Sequence, residues 1–214
     1  MGDWGVLGAV FVVHVLAMAS PGPNVLVVTQ TAASRSRRAG VWAALGIAAG
    51  AGLLAGAALA GVGALLDHAP WVHDALRVAG GGYLVYLGVR LWRGARAPAA
   101  FAAGGALRAE PRADARGNGD AFRVGLLTNL TNPKALAFYG SVFAALFAPG
   151  SPAWLKLAAV AFVVANSTAF HVALACLFST RRAQTAYGRL KLRVDRIAGA
   201  GLALLGLALA LAAA

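Results

Sequence analysis

The chain has 214 residues, 60% of them hydrophobic and only 12% charged, far below the roughly 25% charged content of soluble domains. That balance excludes an ordinary soluble domain and predicts an integral membrane protein. The formal charge of +12 does not point to nucleic acid, because the basic clusters lack interleaved aromatics and a soluble reading domain.

Six apolar segments follow one another at 5–33, 40–66, 75–92, 124–148, 154–178 and 197–214. Each reaches or nearly reaches the about 17 to 25 residues that span a bilayer as helix. The predicted fold is therefore all-α, with six transmembrane helices in a single domain covering 1–214.

Segment one is about 29 residues long, or about 43 Å if straight, against a hydrocarbon core of about 30 Å. It must tilt or break, and Ser20-Pro21-Gly22-Pro23-Asn24 supplies the break. Its start lacks a basic n-region, so the segment reads as a retained helix rather than a signal peptide. Segment two carries Gly46 with Gly50 and Gly52 with Gly56, and segment three carries Gly80-Gly81-Gly82. Small residues at this spacing are read first as packing surfaces for close helix pairs.

A polar stretch at 94–122, rich in Ala, Gly, Arg and Pro, reads as a linker between halves 1–93 and 123–214. Segment four is broken in turn by Asn129-Leu130-Thr131-Asn132-Pro133-Lys134. Proline removes a backbone donor, and Asn and Lys bring polar groups that hydrocarbon cannot solvate. Both breaks need protein or water around them. Three crossings per half make the second half enter from the opposite side, so a repeat of three plus three must be inverted, with helices one and four broken. Asn24 and Lys134 each lie 11 residues from an arginine at the segment edge, Arg35 and Arg123, which puts both breaks about 16 Å inside the membrane.

Most of the cations fall in three connections. These are Arg35 to Arg38, Arg90 to Arg123, and Arg181 to Arg196. The positive-inside rule places those connections in the cytoplasm and both termini outside. The lone Cys176 excludes an intrachain disulfide and a thiolate metal cluster.

Lys134 is the first functional candidate. A lysine at a helix centre costs about 2.5 to 3.5 kcal/mol on insertion scales, so it is expected to face a cavity or a partner. Its ammonium could meet a substrate carboxylate, or it could only neutralise freed carbonyls. Asn24, Asn129 and Asn132 offer donors and acceptors beside backbone shaped by Pro21, Gly22, Pro23 and Pro133. Together these residues could hold a zwitterion, or the amides could only satisfy the broken helices. His14 and His171 are candidates for proton or charge coupling along with Lys134, against the simpler reading of packed histidines. Asn166 also lies in an apolar segment, and Tyr83, Tyr86 and Tyr139 could line a cavity but read first as packing aromatics. The carboxylates, Asp195 among them, all read as loop or segment-end residues, so none is expected at the midplane. That disfavours a metal-ion exporter, and no hydrolase motif is present. A passive small-solute channel is the other competing class. No cofactor is expected.

The runs Ser20 to Asn24, Gly80-Gly81-Gly82-Tyr83-Leu84-Val85-Tyr86-Leu87-Gly88, and Phe122 to Lys134 with Gly125 resemble the LysE/RhtB family of amino-acid exporters in order, spacing and layout. The resemblance implies a multi-pass carrier of the bacterial inner membrane, with membrane lipid and a small amino-acid substrate as partners and self-association left open. It implies outward transport, driven by the proton gradient. Arg77 stands where the family often has a basic residue and joins the coupling candidates. Ala51 stands where some relatives carry an acidic residue, which favours a neutral amino acid over lysine or arginine.

Overall fold

The computed structural model describes residues 2–19, 22–68, 72–94, 117–148, 150–178 and 181–211. These form eight helices: α1 Asp3–Ala19, α2 Pro23–Ser34, α3 Arg37–His68, α4 Val72–Gly94, α5 Asn118–Leu130, α6 Pro133–Leu146, α7 Ala153–Leu177 and α8 Arg181–Leu211. The described residues contain no strand. Helix is the local solution that satisfies every backbone donor and acceptor without water, as these apolar runs require.

Segments one and four are each split in two, and proline marks both splits. Between α1 and α2 the axes bend by 59°. Gly22 is extended there (φ −149, ψ −173) and Pro23 takes the first helical position of α2. Between α5 and α6 the chain passes through Thr131 and Asn132, and Pro133 opens α6. Proline is tolerated at that first position because the amide it lacks would have no helical partner.

By length and apolarity, Arg37–Gly61, Ala153–Leu177 and Leu192–Leu211 can each cross a membrane, and the bent α1–α2 pair can form a fourth crossing. The six predicted spans are thus matched by three helices and one bent pair. The rest, α4 and the α5–α6 pair, are helical but less apolar, with Arg77 and Arg90 in α4 and Arg123, Asn129, Asn132 and Lys134 in the pair.

One boundary differs from the sequence reading in a way that matters. The basic stretch before segment six is not a loop but the first part of α8. Apolarity marks where a chain meets lipid, whereas a run of Arg, Leu, Lys and Ala without proline continues a helix beyond it. Asp195, read as a segment-end residue, therefore lies well inside a helix and is only 3% exposed.

Glycines set the closest approaches. A Cβ on Gly125 would collide with the Ala43 backbone, and one on Gly46 with the Phe122 carbonyl, so α3 and α5 pack backbone to backbone. Gly88 and Gly199 do the same for α4 and α8. Each contact joins one half of the chain to the other. Gly56 and Gly82, by contrast, face open space.

Two apolar clusters result. The larger joins α1, α3, α4, α6, α7 and α8 around Val10, Leu84, Phe143 and Leu202. The smaller joins α2, α3 and α7 around Val28, Ile47 and Ala175.

Candidate functional site

A cavity of about 60 Å³ lies where the two clusters meet, bordered by Ala17, Ala51, Phe138 and Tyr139 of one and Val25 of the other. It has room for a few water molecules, less than an amino acid needs. Both helix breaks open onto it, through Gly22 and Asn24 on one side and Asn129, Asn132 and Lys134 on the other.

The asparagines form a relay across the breaks. Asn24 Nδ2 donates to Asn129 Oδ1 at 2.8 Å, and Asn132 Nδ2 donates to Asn24 Oδ1 at 3.2 Å. Asn129 Nδ2 then donates to the Ile47 carbonyl at 2.9 Å, tying the relay to α3. Asn132 Oδ1 accepts from the Lys134 amide at 3.0 Å and so caps α6. The side-chain oxygens are thus already engaged in holding the broken helices together. What remains toward the cavity is each amide's second N–H and lone pair.

Lys134 sits in the first turn of α6. Its Nζ donates to the Ala17 carbonyl at 3.0 Å. That carbonyl is in the last turn of α1, where helical partners run out and the helix dipole is negative. The lysine thereby serves a carbonyl freed by the other break. Two helix N-termini, those of α2 and α6, meet the same cavity through Asn24 and Val25 and through Lys134 and Ala135. The first turn of α2, which no side chain caps, adds partial positive charge to the ammonium.

The far wall carries two buried histidines. His14 Nε2 lies 3.0 Å from the Tyr139 hydroxyl, while its Nδ1 is buried without a partner among the described residues. His171 Nδ1 lies 2.9 Å from the Ser167 carbonyl and 3.2 Å from Ser167 Oγ. Both rings and Ser167 border the cavity.

The tertiary structure thus gathers Gly22, Asn24, Asn129, Asn132, Lys134, His14 and His171 at one cavity. Pro23 and Pro133 are exposed and act by starting α2 and α6. Pro21 lies outside the described residues, and Arg77 falls in α4 with its side chain outside them. Asn166 is on α7 but does not border the cavity. Sequence reasoning missed Ser167, whose only signal was its place one turn before His171, and it favoured packing over cavity lining for Tyr139, which borders the cavity. It also missed the burial of Asp195.

The sequence model of LysE type translocators matches residues 15–213. The chain is 34% identical over 191 residues to a threonine efflux protein of Escherichia coli strain K12, covering 89% of this chain and 90% of that one. It is 35% identical over the same shares to a threonine efflux protein of Salmonella typhi. An uncharacterized membrane protein of Pseudomonas aeruginosa is 33% identical over 98% of this chain and 93% of its own. No solved structure matches. The chain belongs to the LysE type translocators: it is a membrane transport protein, not an enzyme.

Proposed function

We propose that this LysE type translocator exports amino acids, neutral ones in particular, across the bacterial inner membrane and draws on the proton gradient to do so. The observation that carries the reading is the position of Lys134, an ammonium at a cavity onto which two helix N-termini open. Such a site favours an anionic group. The substrate carboxylate meets Lys134 and the first-turn amides of α2, while Asn24, Asn129 and Asn132 orient the amino group through the positions their relay leaves over. Ala51, buried on α3 at the cavity wall, offers no carboxylate to a cationic side chain. Threonine is the first cargo to test, given the threonine efflux proteins among the relatives.

His14 and His171 take up and release the coupling proton. Alternating access comes from motion of the two halves as an inverted repeat of three plus three. In this reading α4 and the α5–α6 pair complete six crossings, with both termini outside.

Amino-acid profiling of medium and cells after dipeptide loading tests the function. Wild type releases a defined amino acid, Lys134→Ala abolishes that release at normal abundance, and Lys134→Arg keeps part of it because the charge persists in a different shape. Full export by Lys134→Ala would sink the assignment. Accelerated exchange of labelled for unlabelled cargo separates a carrier from a channel. For topology, single cysteines at Ser36 and Ser151 in a Cys176→Ser background are expected to label only from inside and only from outside, respectively.

A further inference from the structure

The asparagine frame leaves the cavity short of acceptors. Each of its three side-chain oxygens already takes a hydrogen: Asn129 Oδ1 from Asn24, Asn24 Oδ1 from Asn132, and Asn132 Oδ1 from the Lys134 amide. An α-ammonium brings only donors, so it is drawn to a lone pair on the opposite wall. His171 supplies one, and its bonding to Ser167 decides which. A carbonyl oxygen can only accept, so the 2.9 Å contact with the Ser167 carbonyl keeps a hydrogen on His171 Nδ1. The lone pair of the neutral ring is then on Nε2. That nitrogen has no hydrogen-bond partner among the described residues and, unlike His14 Nδ1, is not sealed by neighbouring atoms. His171 as a whole is only 2% exposed and borders the cavity shared with Lys134. Its Nε2 therefore opens onto that cavity.

We infer that His171 Nε2 is the atom for which the substrate ammonium and the coupling proton compete, with Ser167 positioning the ring. The inference rests on the reading of the cavity as an amino-acid site driven by the proton gradient. With Nδ1 already holding a hydrogen, a proton taken up by His171 has one place to go, the Nε2 lone pair. The imidazolium then meets the ammonium with a donor and a like charge, so the two exclude each other. Exchange of an inward proton for an outward amino acid requires such exclusion. The arriving ammonium displaces the proton to the inside, and on leaving it yields Nε2 to a proton from outside. The titratable groups nearest His171 are His14 on α1 and Lys134 and Tyr139 on α6, which border the same cavity. Helix α2 carries none. Those of α3 lie at its two ends, Arg37, Arg38, Asp67 and His68, as do Asp3 on α1 and Lys156 and Cys176 on α7 itself. Among the described residues no carboxylate borders the cavity to hold the proton in place of His171.

Threonine binding to the purified full chain in detergent, followed by calorimetry across the ordinary histidine range of about pH 5 to 8, tests this. Wild type is expected to lose affinity as pH falls, approaching about tenfold per pH unit where one proton is displaced. It also releases protons on binding, seen as a binding enthalpy that follows the ionisation enthalpy of the buffer. His171→Gln puts an amide near the place of Nε2, an acceptor that does not titrate. It is expected to bind several-fold more weakly at the alkaline end, with affinity varying less than about twofold over the same range and no proton release. In proteoliposomes its exchange of labelled for unlabelled threonine is slowed, whereas accumulation driven by a pH gradient is lost. Affinity independent of pH in wild type, or a wild-type pH dependence persisting in His171→Gln, would overturn the inference. Where His171→Gln does not fold, His171→Asn decides, because it keeps an amide near the place of Nδ1 for the Ser167 carbonyl and removes Nε2. Its expected result is weaker binding without pH dependence, and wild-type affinity with wild-type pH dependence would overturn the inference. Full export by Lys134→Ala instead removes the parent reading, an outcome separate from the pH dependence of binding.

Discussion

Asn24 and Asn129, 105 residues apart in sequence, are joined by a 2.8 Å hydrogen bond between their side chains. Each stands beside a helix break in its own half, so the bond links the two halves at the level where both helices are interrupted. Breaking it disturbs the frame of the cavity before it disturbs any substrate contact.

Asn129→Ala removes the acceptor for Asn24 and the donor to the Ile47 carbonyl. Stranding a buried polar group costs about 1 to 3 kcal/mol. The variant is expected to melt several degrees lower in detergent and to lose export even where abundance is restored by lowering the growth temperature. Wild-type melting would show that the relay carries no stability.

The glycines separate by what a side chain would meet. Gly125→Ala forces α3 and α5 apart at Ala43, a change expected to cost about 1 to 3 kcal/mol and to reduce the monodisperse yield several-fold. Gly82→Ala, with nothing in reach, is expected to behave as wild type. Equal yields from the two would mean that backbone contact does not hold α3 against α5.

Tyr139→Phe takes away the hydroxyl beside His14 Nε2 and leaves the ring packing in place. If His14 handles the coupling proton, efflux driven by a pH gradient falls severalfold while exchange at equal pH is nearly kept. His14→Ala then adds little to Tyr139→Phe, as expected of residues acting as one unit. Parallel losses in both assays would mark His14 as a packing residue.

Ala51→Asp would put a carboxylate on the wall of the cavity. Export of neutral amino acids is expected to fall and release of lysine or arginine to rise, because the added charge can receive a cationic side chain. The check is the same profiling after loading with lysine-containing and threonine-containing dipeptides. An unchanged profile would place selectivity elsewhere.

Much of this protein is legible without coordinates because the bilayer imposes strong local rules. A polar break in an apolar run is conspicuous wherever it occurs, and that is why Asn24, Asn129, Asn132 and Lys134 stand out in the sequence. The family runs around Ser20 to Asn24 and Phe122 to Lys134 are local patterns of the same kind. Asp195 was hidden by the same logic. It sits where charge is ordinary in sequence, among arginines at a segment edge, and burial there depends on a neighbouring helix.

The sequence by itself determined the membrane class, the helical fold, the two interruptions and the residues beside them, since each follows from composition and from chemistry within one segment. Only the tertiary structure decided that Asn24 bonds to Asn129, that Lys134 reaches the end of α1, that Ser167 and Tyr139 hold the histidines, and that Asp195 is buried. Those are relations between helices far apart in the chain. They depend on how closely the glycine faces of α3 with α5 and α4 with α8 approach, and no local pattern encodes that distance.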